Sequence, residues 1–452
     1  MRVHNLKVSV SGVRGVVGDT LTPNLIANFA SAFGEYVGKG RIIVGRDTRP
    51  TGEMYENAVI AGLLSVGCQP ILIGIAPTPT VQILVEEYKA KGGICITASH
   101  NPEQWNALKF IGESGTFLNL REAAELLNIY NQPDRVYVDE SEIRKVRVIE
   151  NAFDIQKKKI FSQIDIETIR KANIKVAVDC CNGAGAPYAK DFLEYLGCEV
   201  HAIFEDIDGR FRRKPEPIPE NLSELSKVVK ENNCDIGFAQ DPDADRIVVM
   251  DSAGKAIGEQ FSVVLAAEHL LSKTPGPVVV NIQTTKAIDA VAKKYNSKLY
   301  HTPVGEINVT SKMLEVGAII GGEGGSGGVI WPALHPCRDS FTGMALILEM
   351  MASREKSLEE ILDTIPKYYS AGEKVACSAG KAVEVIRFLS AKHVDANPNL
   401  IDGLRLDWDD SWMLLRASNT EPIIRIFAEA LTQEKADELV NKFVKEMDEI
   451  KV

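Results

Sequence analysis

One pattern recurs three times along this chain: strand, helix, strand, helix, strand. The first round reads RIIVGRDTR around Ile43, CQPILIG around Leu72 and GGICITASHNP around Ile96. The second reads IKVAVDCCNGAG around Val178, CEVHAIF around Ala202 and CDIGFAQDPDADR around Gly237. The third reads PVVVNIQTTK around Val280, SKLYHTPVG around Tyr300 and GAIIGGEGGSGG around Ile320. Short β-branched runs alternating with helix-length amphipathic stretches specify layered α/β units with largely parallel sheets. Residue identity between the rounds is slight, so the repeat is one of pattern. In each round an unusual loop follows the third strand: TASHNP, DPDADR and GEGGSGG. Open α/β sheets bind ligands beyond the carboxyl ends of their strands. Three such units facing inward would bring three different loops to one cleft.

The rhythm stops after about Lys367. DSWMLLRAS and IIRIFAEA read as two strands around a polar turn, followed by a helical tail, TQEKADELVNKFVKEMDEI. The expected architecture is α/β: three related α/β domains with mostly parallel sheets (1–150, 151–252 and 253–368) and a C-terminal α+β domain (369–452), arranged around a central cleft. The Pro-rich piece RRKPEPIPENL, Arg212 to Leu222, reads as a surface connection with a solvated basic cluster.

Charge narrows the function. With 51 Lys and Arg against 62 Asp and Glu, the net charge is −11. Such a chain has no global attraction to nucleic acid or anionic lipid, so an anionic ligand must be held by a few placed cations. No segment approaches the ~20 apolar residues of a membrane span, and the first residues lack a signal-peptide core. Eight cysteines without a CxxC pair fit a reduced, cytoplasmic protein.

DPDADR, Asp241 to Arg246, carries the strongest chemistry. Three carboxylates at alternate positions repel one another unless a cation sits between them. On a straight strand alternate residues lie ~6.8 Å apart, too far for oxygens that must approach one ion within ~2.1–2.6 Å. A curled loop opened by Pro242 removes that obstacle, so Asp241, Asp243 and Asp245 are candidate ligands of a hard divalent cation. An EF-hand would need Gly at the sixth position and Glu at the twelfth; Arg246 and Ser252 stand there. A phosphatase forming an aspartyl phosphate, with Asp241 as nucleophile, stays open at this stage.

TASHNP, Thr97 to Pro102, offers the hydroxyl of Ser99 and the imidazole of His100. No Gly-x-Ser-x-Gly elbow supports a hydrolase triad. Beside a metal loop, Ser99 becomes a candidate phosphate carrier, because a metal and a hydroxyl are the minimal equipment for phosphoryl transfer. RASNTEP, Arg416 to Pro422, packs a guanidinium, two hydroxyls and an amide between two strands, which suits phosphate. Arg425 follows on the next strand. In GEGGSGG the glycines let backbone approach a ligand closely, while Glu323 and Ser326 can bond sugar hydroxyls. Glu306, in TPVGEIN, is a candidate partner for a hydroxyl or an amino group.

These loops, with SGVRG near the start (Ser11 to Gly15), in this order and spacing, resemble the α-D-phosphohexomutase superfamily over nearly the whole chain. The resemblance implies an intramolecular phosphotransferase that interconverts hexose 1-phosphate and 6-phosphate through a phosphoserine and a bisphosphate. It implies that Ser99 is the phosphoserine and that Asp241, Asp243 and Asp245 hold Mg²⁺ with an oxygen of the Ser99 phosphate. By position, Arg14, His100, Lys109 and Arg246 match cationic or proton-transfer residues. Arg416, Ser418, Asn419 and Thr420 match the loop that grips the non-reacting phosphate, and Glu323 and Ser326 fall in the sugar loop. A hexose 1,6-bisphosphate is the implied activator, and a monomer or homodimer the expected form. Two departures stand out: two glycines separate Glu323 from Ser326 where the family has one residue, and WNALK replaces YNGxK while keeping Lys109. Glucosamine phosphate is expected ahead of mannose and glucose phosphates, on the acidic side chain of Glu306. A Mg²⁺-dependent sugar phosphatase and a non-catalytic sugar-phosphate sensor are the alternatives.

Overall fold

The computed structural model describes residues 6–9, 12–418 and 422–449. Among these described residues there are four sheets. The first three share one arrangement. Side by side in the first lie Gln69–Ile75, Arg41–Arg46, Gly92–Ile96 and Trp105–Ile111. In the second lie Glu199–Ile203, Lys175–Asp179, Ile236–Gln240 and Ile247–Met250. In the third lie Leu299–Thr302, Val278–Asn281, Ile320–Glu323 and Gly328–Trp331. Each time the first three strands are parallel and the last is antiparallel. The parallel heart is the one the sequence rhythm predicts. The antiparallel partner is an addition the rhythm does not show, and it has a consequence: TASHNP, DPDADR and GEGGSGG each link the third parallel strand to that partner, so they emerge at equivalent points of three similar units.

Burial explains why these segments are strands. Ile42, Ile43 and Val44 are fully buried because helices cover both faces of the first sheet. Pro23–Tyr36 and Gly52–Ser65 pack on one face and Thr78–Glu87 on the other, and a strand covered on both faces reads as a continuous apolar run. The helix Pro23–Tyr36 starts where Thr22 accepts from the Leu25 amide and a proline opens the first turn. The second and third units share a core: Phe341, on the almost wholly buried helix Ser340–Arg354, lies 4.6 Å from the ring of Phe153 and 5.1 Å from that of Phe192. Burial of each such side chain contributes ~1.5–3 kcal/mol, which joins these two units into one block.

The C-terminal sheet is antiparallel throughout, in the order Tyr369–Ala376, Ile423–Ala430, Ser411–Ala417, Leu404–Asp407. Leu404, Met413, Leu415 and Ile424 face a core closed by the helices Ala379–Lys392 and Gln433–Glu449. Trp412 and Leu414, on the opposite face, pack on Ile282 of the third unit. The helix Ala379–Lys392 and the strand Leu404–Asp407 are not anticipated by the sequence reading.

The Pro-rich connection differs from expectation. The Arg213 side chain is only 6% exposed. Its guanidinium donates to Asp179 Oδ2 at 2.6 Å and to the Gln240 carbonyl at 2.6 Å. It therefore clips together the ends of two neighbouring parallel strands. Among the described residues no helix is long and apolar enough to cross a membrane.

Candidate active site

Two of the three loops meet directly. Ser99 Oγ donates to Asp241 Oδ2 at 2.9 Å. Lys109, on the strand after the Ser99 loop, puts Nζ 2.6 Å from Asp243 Oδ2 and 3.4 Å from Asp245 Oδ2. Ser99 and Ala244 both adopt positive φ, +50° and +53°. For non-glycine residues this costs ~1–3 kcal/mol, offset here by hydrogen bonds that over-determine both loops. The Ser99 amide donates to Thr97 Oγ1 at 3.0 Å, and the Thr78 amide and hydroxyl donate to the Asp243 carbonyl and Oδ2 at 2.9 and 2.5 Å.

Asp241, Asp243 and Asp245 are fully buried and present carboxylate oxygens within 4.8 Å of one another. Burial and the charges of Asp243 and Asp245 push Asp241 well above the usual carboxylate range. Burial also works against the Asp243 charge, but Lys109 and the hydrogen bonds from Lys109 and Thr78 outweigh it and hold Asp243 below that range. Lys109 is held above its ordinary value by the same two acids, against the effect of burial. Oδ1 of Asp243 and Oδ1 of Asp245 are buried with no hydrogen-bond partner among the described residues. Orphaned anionic oxygens are costly, and hard oxygen donors of this kind suit a divalent cation. The donor set fits such an ion.

Cations ring the cluster. Arg246 Nε lies 3.8 Å from Asp241 and 3.7 Å from Asp245. Arg14 donates to Asn101 Oδ1 at 2.6 Å. His100 Nδ1 stands 3.4 Å from Ser99 Oγ; the neighbouring Arg246, burial and Arg14 push its pKa down to about 2, so the ring is neutral. Ser11 lies outside the described residues.

The third loop joins through a residue the sequence reading missed. Arg338 donates to Asp245 Oδ2 at 2.6 Å, to Glu323 Oε2 at 2.8 Å and to Glu306 Oε2 at 2.9 Å. Glu323 also accepts from the Gly305 amide at 2.6 Å and Asn281 at 3.2 Å. Glu306 accepts from Gln82 at 3.2 Å, and burial raises its pKa to about 7 despite Arg338. Ser326, half-buried, is 3.4 Å from Arg338 Nη1. GEGGSGG itself is a short 3₁₀ turn, Gly324–Ser326, closed by Gly327 at φ +69°. Arg49 and Asp47, in RDTR, were also missed. Arg49 donates to the Ser99 carbonyl at 2.9 Å and the Asn101 carbonyl at 2.5 Å and pairs with Asp47, which accepts from Thr97 Oγ1 at 2.6 Å.

Arg416, Ser418 and Arg425 lie apart from this cluster, on the C-terminal unit. Arg416 faces Arg425 across the sheet, and Arg425 faces Lys374 on the next strand. Like charges placed opposite one another are unfavourable, and Asp402, 3.0 Å from Arg416 Nε, offsets part of that cost. Asn419 and Thr420 lie outside the described residues. A chain of contacts links the row to the glycine-rich turn: Asp402 accepts from Arg416 Nε at 3.1 Å and from the Val304 amide at 3.0 Å, and the next amide, of Gly305, bonds Glu323.

Each of the four units matches a known family of domains. Models of the phosphoglucomutase/phosphomannomutase alpha/beta/alpha domains I, II and III match residues 5–136, 156–254 and 258–369, and that of the C-terminal domain matches 353–446. A phosphoglucomutase/phosphomannomutase of Thermococcus kodakarensis is 37% identical, the match covering 97% of each chain. A phosphoglucosamine/phosphogalactosamine mutase of Sulfurisphaera tokodaii is 34% identical over 96% of this chain and 97% of that one. The crystal structure of a phosphoglucomutase/phosphomannomutase family protein from Burkholderia thailandensis superimposes with a TM-score of 0.84 at 25% identity, covering 98% of both chains. With matches spanning all four units, this chain belongs to the phosphoglucomutase/phosphomannomutase family of phosphohexomutases, which are intramolecular phosphotransferases.

Proposed function

We propose that this phosphohexomutase interconverts the 1- and 6-phosphates of a hexose, glucosamine first, through a phosphoryl group carried on Ser99. The observation that supports the reading most is the 2.9 Å contact of Ser99 Oγ with Asp241 inside the buried aspartate cluster. Glucosamine leads because Glu306 and Glu323 bring two buried acid side chains to one guanidinium, hydrogen-bond acceptors suited to an amine, and because the S. tokodaii relative is named for amino-sugar phosphates. Mannose and glucose phosphates are the alternatives.

In the forward half-reaction a sugar hydroxyl attacks the phosphorus on Ser99. The new P–O bond to the sugar forms, the bond to Ser99 Oγ breaks, and the hydroxyl proton is passed by way of the neutral His100 ring, 3.4 Å from Ser99 Oγ, to the departing Ser99 oxygen, while Lys109 and Arg246 stay protonated and balance the charge on the transferred group. The bisphosphate then presents its other phosphate, and the reverse transfer regenerates phospho-Ser99. Arg416 and Ser418, with Asn419, Thr420 and Arg425, take the phosphate that is not reacting, and must accept it from either end of the sugar. Arg14 and Arg246 balance phosphate charge beside Ser99. Glu323, Ser326 and Glu306 orient the ring. Asp241, Asp243 and Asp245 with an oxygen of the Ser99 phosphate would hold Mg²⁺, which supplies charge neutralisation for the transferred group. A hexose 1,6-bisphosphate would act as activator by recharging Ser99. A cytoplasmic location is supported by eight buried cysteine thiols.

The test is Ser99→Ala, assayed with the 1- and 6-phosphates of glucosamine, mannose and glucose side by side. Loss of isomer exchange, together with one phosphate fewer on the intact protein, is expected. Undiminished exchange overturns the scheme, and release of inorganic phosphate independent of Ser99 would favour an aspartyl phosphatase.

A further inference from the structure

Arg338 ends the strand His335–Arg338 and is 9% exposed. Its fork meets three acids brought by three loops: Asp245 of the metal loop, Glu306 after TPVG, and Glu323 of the glycine-rich turn. Burial would lower its pKa, but these three charges hold it well above its ordinary value. The side chain runs directly over Gly328, where an added Cβ would come within 2.3 Å of Arg338 Cδ. The glycine next to the sugar loop thus makes room for the arginine stem. A planar guanidinium can bond acids on several sides at fixed angles, whereas an ammonium offers the charge without the fork.

We propose that Arg338 is a positioning residue for sugar recognition, holding Glu306 and Glu323 in fixed orientation against the metal loop. It touches no reacting atom and acts through the two glutamates.

This inference rests on the mutase reading, and wild-type isomer exchange measured alongside separates a failure of that reading from a failure of this one. Arg338→Lys keeps the charge and loses the fork. KM for glucosamine 6-phosphate is expected to rise roughly 10–100-fold, the range seen when groups that orient ligating side chains are removed. kcat should fall far less, and calorimetric Mn²⁺ affinity without sugar should stay within about twofold, the ammonium still balancing Asp245. The double variant R338K/E323Q should be little worse than E323Q alone, because residues acting as one unit are non-additive. Wild-type KM in R338K, additive effects in the double variant, or Mn²⁺ affinity falling in step with activity would each overturn the proposal. Should R338K lose its cooperative unfolding transition, Gly328→Ala displaces the same stem: a raised KM with unchanged Mn²⁺ affinity supports the inference, and an unchanged KM overturns it.

Discussion

Ser99 and Asp241 are 142 positions apart in sequence and joined by a 2.9 Å hydrogen bond. Each sits in the loop that follows the third parallel strand of its unit. The pair exists because two units with the same strand order turn their equivalent ends toward each other, and the buried hydroxyl is thereby placed against the acid cluster.

That placement depends on Arg49, which ties the Ser99 and Asn101 carbonyls to Asp47. Arg49→Ala leaves the fully buried Asp47 carboxylate without its cation, a change that typically costs ~3–5 kcal/mol. Urea unfolding should show a loss of that order, with Arg49→Lys intermediate. A loss under about 1 kcal/mol, the scale of a surface pair, would show that the loop is held by other contacts.

Metal binding should be visible in stability. A ligand bound only by the folded state stabilises by ~2.7 kcal/mol at a hundred times its dissociation constant. Mg²⁺ is therefore expected to raise the melting temperature of the wild type, a chelator to reverse the rise, and Asp243→Asn to abolish it. An equal rise in Asp243→Asn would place the ion elsewhere.

Glu306 gives a pH dependence of definite sign. Burial raises its folded pKa to about 7, above that of an unfolded glutamate near ~4.3. Between those values the folded state binds the extra proton, so this group's contribution to stability falls as pH rises from about 4.3 to 7, by at most ~1.4 kcal/mol per pH unit, and is flat above. Glu306→Gln should flatten the stability–pH profile in that window. A variant profile parallel to that of the wild type would show that Glu306 titrates normally.

How much of this was legible follows from what leaves a spacing signature. TASHNP, DPDADR and RASNTEP are runs, and each sits at a strand end that the apolar pattern already marks. Arg338 and Arg49 are single arginines whose meaning lies in partners 93 positions away, at Asp245, and 52 away, at Asn101, and no local pattern announces them. Arg213 sat in a run that reads as a solvated surface cluster, because the strand-end acceptors at Asp179 and Gln240 that draw it inward come from other stretches of chain. Glu306 opens a helix, where an acid commonly serves as an exposed cap; only the approach of Gln82 and Arg338 buries it. The antiparallel strand of each unit was hidden because a hairpin return adds no helix-length beat.

The central claim is that the phosphoryl on Ser99 goes to the sugar and returns. Protein labelled with radioactive phosphate at Ser99 and mixed rapidly with unlabelled glucosamine 6-phosphate and Mg²⁺ tests it in one step. The expected result is label in the sugar bisphosphate first and then distributed into the monophosphates, with negligible inorganic phosphate. Label that stays on the protein through many turnovers, or leaves only as inorganic phosphate, would contradict the account.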